Sequence, residues 1–253
     1  MSEHDLKALR AELDEADTHL LAAFEKRMLI SGKIALVKKE SGTAVRDPLR
    51  EGKVILNRME QVSPVTARYI PLLYSRLMEL SRFHQQETVK PVNRDNVILV
   101  GMPGCGKSTV GKILAEQLGY RFWDTDLEIE RKTGMPIPDI FTEMGENEFR
   151  NLETEAVRSA CSGSGRVIAT GGGAVKSELN RRLIRERGFV VQLLRNIEML
   201  PVRDGRPLSS RREKLNELWI ERSSLYAECA HVCIPNESSP DECAVRIVEL
   251  YRD

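Results

Sequence analysis

The sequence predicts a multidomain chain: an all-α unit of three helices over residues 1–88, a linker at 89–95, and an α/β unit with a central parallel sheet over 96–253. Two observations carry this. Residues 6–37 hold an apolar seam at three–four spacing, the period of a helix packed along one side. Past Asn96, short apolar runs alternate with helical patterns, the mark of parallel strands joined by crossover helices. At 253 residues, two units can each bury a core.

The seam runs Leu6, Leu9, Leu13, Ala16, Leu20, Ala23, Ile30, Ile34 and Val37, with Arg27 at the one position that breaks it. It predicts a helix from about Asp5 to Lys39, roughly 50 Å long. A helix of that length needs a helical partner, and a second copy of the chain supplies one. Asp47-Pro48 then reads as a helix start, with Asp as N-cap and Pro at the first helical position. That second helix runs to about Gln61. Ser63-Pro64 starts a third, carrying Tyr69, Leu73, Leu77, Leu80 and His84.

Beyond the linker, NVILV (96–100), RFWDTD, RVIAT, FVVQLL and HVCIPN read as strands. Cys229, His231 and Cys233 alternate as metal ligands can, but no second ligand pair accompanies them, so a late buried strand is the better reading.

Bulk composition excludes several classes of partner. Of 38 basic and 38 acidic residues, residues 1–88 hold 14 and 13, leaving 24 and 25, so neither unit has a nucleic-acid binder's basic excess. The polar, charged start MSEHDLKALRAELDEAD is unlike a signal peptide, and no apolar run reaches membrane-spanning length. Five cysteines, an odd number, fit a reducing cytoplasm.

A guanidinium facing a helical core is costly unless an anion meets it, so Arg27 marks a candidate anion pocket. Lys38 lies three turns on and shares its face. Arg10, seventeen residues earlier, is turned away from that pocket but can reach a partner's pocket in an antiparallel dimer. The second helix adds Arg46, Asp47, Arg50 and Glu51; the third adds Ser81 and Gln85 at i, i+4.

Over residues 5–86 the sequence resembles the all-helical bacterial chorismate mutases, in KALRAELDEAD, EKRM, VKK, VRDPLRE and ELSRFHQQ, in that order. The resemblance implies an intertwined homodimer that rearranges chorismate to prephenate. It implies that Arg27 and the partner chain's Arg10 hold the two carboxylates, that Lys38 and Gln85 flank the ether oxygen, and that Glu51 and the Asp47 backbone take the hydroxyl. Ser81 would support a carboxylate, and Arg46 and Arg50 match the pattern. A [3,3] rearrangement needs no nucleophile, only a held conformer and donors aimed at the developing negative charge. The alternative for this unit is a dimerising or ligand-sensing module without turnover.

In the second unit, GMPGCGKST (101–109) fills every fixed place of G-x-x-x-x-G-K-[ST], between an apolar strand and a helix that ends at Gly119. Backbone N–H groups of such a loop close around phosphate, the lysine reaches the β- and γ-phosphates, and the serine hydroxyl holds Mg²⁺. The motif predicts a bound nucleoside triphosphate. Asp124 and Asp126 end RFWDTD with both carboxylates on one side, one for Mg²⁺ through water and one for an acceptor hydroxyl; Asp126 can also be read as a helix cap. Arg150 and Glu153 fall at i, i+3, Gly171–Gly173 follow RVIAT, Arg206-Pro207-Leu208 read as a basic lid, and Arg222 and Tyr226 lie one helical turn apart.

Across residues 96–251 the sequence resembles shikimate kinase, in GMPGCGKST, DTDLEIE, FRNLE, GGGAV, RPL and RSSLY. The resemblance implies ATP and Mg²⁺ as cofactors, with Gly104, Cys105, Gly106, Lys107, Ser108 and Thr109 around the nucleotide. It implies that Asp126, Arg150, Gly172, Gly173 and Arg222 bind shikimate, the two arginines on its carboxylate and Asp126 on the attacking hydroxyl. Ser108 would ligate Mg²⁺ and Asp124 support it. Arg206 would close over the phosphates and Arg203 approach the adenine, although the stretch from Arg203 to Arg222 is shorter than the family's. The rival reading is another small-molecule kinase, of gluconate or nucleoside monophosphate type. The two resemblances together imply a bifunctional enzyme of aromatic amino-acid biosynthesis.

Overall fold

The computed structural model describes residues 3–45, 47–201 and 212–252. The chain divides into two compact units, Met1–Pro91 and Val92–Asp253.

The first unit is helical. Its first helix, α1 (Glu3–Ser41), spans 39 residues, about 58 Å at 1.5 Å per residue. α2 (Pro48–Met59) starts as the sequence predicts, with the Asp47 carboxylate accepting the Arg50 N–H. The expected third helix is two: α3 (Pro64–Ala67), capped by Ser63, and α4 (Ile70–Thr88). The break has a local cause. Pro71 has no N–H to give the Ala67 carbonyl four residues back, and its ring would clash there, so α3 stops at Ala67.

α1 packs on α4, but not along its leucine seam. It does so through Arg27, Ser31 and Ala35, a stripe four residues apart in which small side chains admit close approach. The seam itself is exposed: Leu13 is 61% accessible, Leu20 57% and Val37 63%.

The second unit is a five-stranded, wholly parallel sheet in the order β2-β3-β1-β4-β5. The strands are β1 (Asn96–Val100), β2 (Arg121–Asp124), β3 (Arg166–Ala169), β4 (Phe189–Leu194) and β5 (Val232–Pro235). β1 lies at the centre and is buried along its whole length, which is why NVILV carries no alternation. Val97, Ile98, Leu99 and Val100 each contribute roughly 1.5–3 kcal/mol by that burial.

α5 (Lys107–Leu118) packs beside α11 (Pro240–Arg252), while α8 (Gly145–Ala160), α9 (Glu178–Arg187) and α10 (Arg212–Cys229) pack in series. A smaller core of Ile129, Ile140, Phe149 and Ala156 ties α8 to α6 (Thr125–Thr133) and α7 (Ile137–Glu143).

The residues of the Cys229/His231/Cys233 alternation fall on different elements. Cys229 closes α10 rather than belonging to the strand, and Cys233 lies exposed on the edge strand β5. His231 is tied to β4, its Nδ1 accepting the Val190 N–H at 2.9 Å while its ring stacks on Phe189.

Candidate active sites

In the second unit the loop after β1, the end of β2 and the loop after β3 all open at the carboxyl edge of the sheet, where doubly wound folds place their ligands. They enclose a cavity of about 580 Å³. Gly104, Gly106, Lys107, Ser108 and Thr109 line one side of it, and Asp126, Arg150, Gly171, Gly172, Gly173 and Arg222 another.

The 101–109 loop turns sharply into α5 because Gly106, at φ 100°, takes the left-handed conformation that strains any residue with a Cβ. Lys107 then opens the helix. The residue is 8% exposed, and its ammonium donates to the carbonyls of Gly101 and Met102 at 2.9 Å each. Among the described residues no carboxylate forms an ion pair with it, so this buried cation suits an anionic ligand. Cys105 is fully buried, and its backbone carbonyl accepts the Asn236 side-chain amide at 2.7 Å, so Asn236 ties the loop to the end of β5.

Ser108 Oγ donates to Asp124 Oδ2 at 2.6 Å. The other oxygen of Asp124 accepts the N–H groups of Asp126 and Leu127 at 3.0 and 3.3 Å. Asp124 is therefore the N-cap of α6, the role that the sequence offered as the alternative for Asp126. Asp126 belongs to the first turn of the helix, so the two carboxylates do not share a strand face.

Opposite this, the glycine triad lets side chains close on the backbone. A Cβ on Gly171 would strike Asp126 Oδ1 and lie 3.0 Å from Glu153 Oε1, and one on Gly173 would collide with the Arg150 guanidinium. Arg222 Nη1 and Tyr226 Oη both donate to the Gly172 carbonyl. Arg222 is 2% exposed, not a surface arginine. Arg150 Nη1 donates to Glu153 Oε2 at 2.8 Å. Glu153 is buried, which pushes its carboxyl above the usual range while Arg150 opposes the shift. Two guanidiniums and one carboxylate thus meet around a backbone loop, an arrangement for a small hydroxylated carboxylate. Arg203 and Arg206 lie outside the described residues.

In the helical unit, Arg27 Nη1 donates to the Leu77 carbonyl at 3.0 Å and to Ser81 Oγ. Gln85 Nε2 donates to Ser31 Oγ at 3.1 Å, and the buried Gln85 Oε1 has no partner. Partial burial lowers the Arg27 pKa. Arg27, Ser81 and Gln85 therefore assemble along the α1–α4 contact, as the sequence suggests. Lys38 is drawn aside, Nζ donating to the carbonyls of Ala44 and Val45 at 2.9 and 2.8 Å. Glu51 pairs with Arg82 at 2.6 Å, and Arg50 and Asp47 are exposed at the start of α2. Arg10, about 25 Å along α1 from Arg27, is exposed and joins no pocket among the described residues. Arg46 lies outside the described residues.

Sequence reasoning passed over Ser31, Arg82, Glu153, Lys176 and Asn236 as site components. Ser31 had a signal, a hydroxyl four residues after the anomalous Arg27; Asn236 ends a predicted strand at the ligand edge.

Residues 103–252 match the family model described as shikimate kinase, and residues 9–86 that described as chorismate mutase type II. The shikimate kinase of Geobacter sulfurreducens is 48% identical over 145 residues, covering 54% of this chain and 80% of its own length. That of Nitrosospira multiformis is 40% identical over 162 residues, covering 61% and 83%. Among solved structures, shikimate kinase from Acinetobacter baumannii in complex with shikimate superimposes with a TM-score of 0.60 at 42% identity, over 62% of this chain and 92% of that one. The Aquifex aeolicus shikimate kinase gives 0.56 at 32% identity, over 62% and 95%.

Proposed function

We propose that this chain, which belongs to the shikimate kinase family through residues 103–252 and carries a chorismate mutase type II domain at residues 9–86, phosphorylates shikimate with ATP and rearranges chorismate to prephenate. The observation that carries the kinase reading is the convergence of Arg150, Arg222 and Asp126 on Gly171–Gly173, in one cavity with the phosphate loop.

In this reading Arg150 and Arg222 take the shikimate carboxylate, orienting the ring and leaving a hydroxyl toward Asp126. Asp126 accepts the proton as that hydroxyl attacks the terminal phosphorus of ATP; the leaving group is ADP. Lys107 and the first N–H groups of α5 meet the phosphate charge. Ser108 and Asp124, a hydroxyl and a carboxylate 2.6 Å apart, are oxygen donors of the kind Mg²⁺ prefers and would hold it. Bound there, Mg²⁺ supplies charge neutralisation on the phosphate oxygens.

For the mutase reaction, Arg27 and Ser81 bind a carboxylate of chorismate, Gln85 and Lys38 address the ether oxygen, and Glu51 and Asp47 the hydroxyl. Arg10 is supplied by a second copy. The exposed leucines of α1, on the same helix as Arg10, support a homodimer formed through this helix. Enclosing the dianion pre-organises the rearrangement and offsets charge as the C–O bond breaks. Five free cysteines, four of them buried, fit a reducing cytoplasm.

ADP release on a panel of shikimate, gluconate and nucleoside monophosphates, beside chorismate consumption by the same sample, tests the reading. Shikimate-dependent ADP release and prephenate formation are expected. Turnover of gluconate without shikimate would overturn the kinase assignment, and chorismate left unconverted would overturn the mutase one.

A further inference from the structure

At the rim of the kinase cavity, five charged side chains form a continuous chain across three elements. Glu146, in the first turn of α8, accepts Arg150 Nη2 and Nε on Oε1 at 3.0 and 3.3 Å. Lys176 ends the short 3-10 turn after Gly173, with Nζ 4.0 Å from Glu146 Oε1 and 2.9 Å from Glu221 Oε1. Glu221, on α10, uses its other oxygen to accept Arg222 Nε at 3.2 Å. The order is Arg150, Glu146, Lys176, Glu221, Arg222.

This arrangement creates a competition. Arg150 and Arg222 each already touch a glutamate of the protein, so a substrate carboxylate entering between them must share or replace those contacts. An isolated glutamate beside Arg222 would move onto the guanidinium and remain there. Lys176 gives each glutamate a second cation: on Glu221 at the oxygen that Arg222 does not use, and on Glu146 more distantly, at the same oxygen that Arg150 uses.

We propose that Lys176 is a positioning residue that sets carboxylate affinity: it holds Glu221 at the rim by the oxygen that Arg222 does not use, leaving Arg222 available, beside Arg150, to the carboxylate of the acceptor. The inference rests on the reading that these two arginines take that carboxylate. The electrostatics agree. The Glu221 carboxyl sits below its ordinary range chiefly through the Lys176 hydrogen bond, whereas Arg150 is the main cause for Glu146. Glu221 is thus the glutamate that depends most on Lys176.

Half-exposed ion pairs add little to folding stability. The effect therefore belongs to substrate binding. In the full-length protein, Lys176→Met is expected to raise the KM for shikimate about two- to fivefold, with kcat, the KM for ATP and the thermal midpoint unchanged. Lys176→Arg should restore the KM. Adding Glu221→Gln to Lys176→Met should also restore it, because a neutral amide no longer competes for Arg222. A merely structural lysine predicts a double variant no better than the single one, and that result, or an unchanged KM in Lys176→Met, would overturn the proposal. An unaltered protein that phosphorylates no shikimate would contradict the kinase reading itself, a distinct outcome.

Discussion

Arg222 and Tyr226, one turn apart on α10, donate to the same acceptor: the Gly172 carbonyl receives Arg222 Nη1 at 3.1 Å and Tyr226 Oη at 2.5 Å. The fully buried Tyr226 anchors the glycine loop from the core, and Arg222 then extends past it to the cavity. A guanidinium that would otherwise have many rotamers is fixed by a backbone atom fifty residues away.

Tyr226→Phe keeps the ring and removes one of the two donors to Gly172. Its loss should lower stability by about 1 kcal/mol, because Arg222 still satisfies the carbonyl. For a unit of this size that is a fall of about 2–4 °C in the thermal midpoint. The KM for shikimate should rise while the KM for ATP stays the same, which steady-state kinetics against each substrate will show.

Asp124 combines two roles that substitution can separate. Asp124→Asn retains an N-cap, so α6 should lose only a few tenths of a kcal/mol, yet the oxygen toward Ser108 loses its charge. Activity should fall and the Mg²⁺ concentration for half-maximal rate should rise. Asp124→Ala should add a loss of about 1 kcal/mol in stability from the missing cap. A magnesium titration of both variants, beside their denaturant midpoints, distinguishes the roles.

His231 makes the kinase unit acid-sensitive. Burial, with Arg185 and Arg94 nearby, lowers its pKa from 6.5 to about 4, and its Nδ1 accepts the Val190 N–H, which only the neutral ring can do. Above pH 6.5 the ring is neutral whether the chain is folded or not, and stability does not respond to it. Between about 6.5 and 4 the unfolded chain binds a proton that the folded one refuses, so stability falls as pH falls; below about 4 this contribution is spent. His231→Asn keeps an acceptor and cannot titrate. Its urea midpoint should decline less steeply between pH 6.5 and 4 than that of the unaltered protein.

The architecture was legible wherever local chemistry governs it. Asp47-Pro48 and Ser63-Pro64 start helices because cap and proline act within one turn, and NVILV reads as a central strand because both its faces are buried. The period through Tyr69, Leu73 and Leu77 hid the break before Pro71, since side-chain spacing is blind to a missing N–H. Arg27 was legible as a charge in an apolar seam, and its neighbours Ser81 and Gln85 by their shared face. Arg222 was legible as a site residue only through the family resemblance, because nothing local to α10 reveals its burial or a carbonyl at Gly172. The burial of Glu153 and the bridging place of Lys176 were not legible for the same reason: an i, i+3 pair or a charged turn shows neither burial nor a third partner. The packing of α1 through Arg27, Ser31 and Ala35, leaving its leucines exposed, also depends on where α4 lies.

Two active sites on one chain are tested most directly by measuring shikimate phosphorylation and prephenate formation side by side in full-length Arg27→Ala and Asp126→Asn. Arg27→Ala should lower prephenate formation about 10²–10³-fold with phosphorylation intact, and Asp126→Asn the reverse. Loss of both activities in either variant, or a mutase rate indifferent to Arg27, would contradict the account.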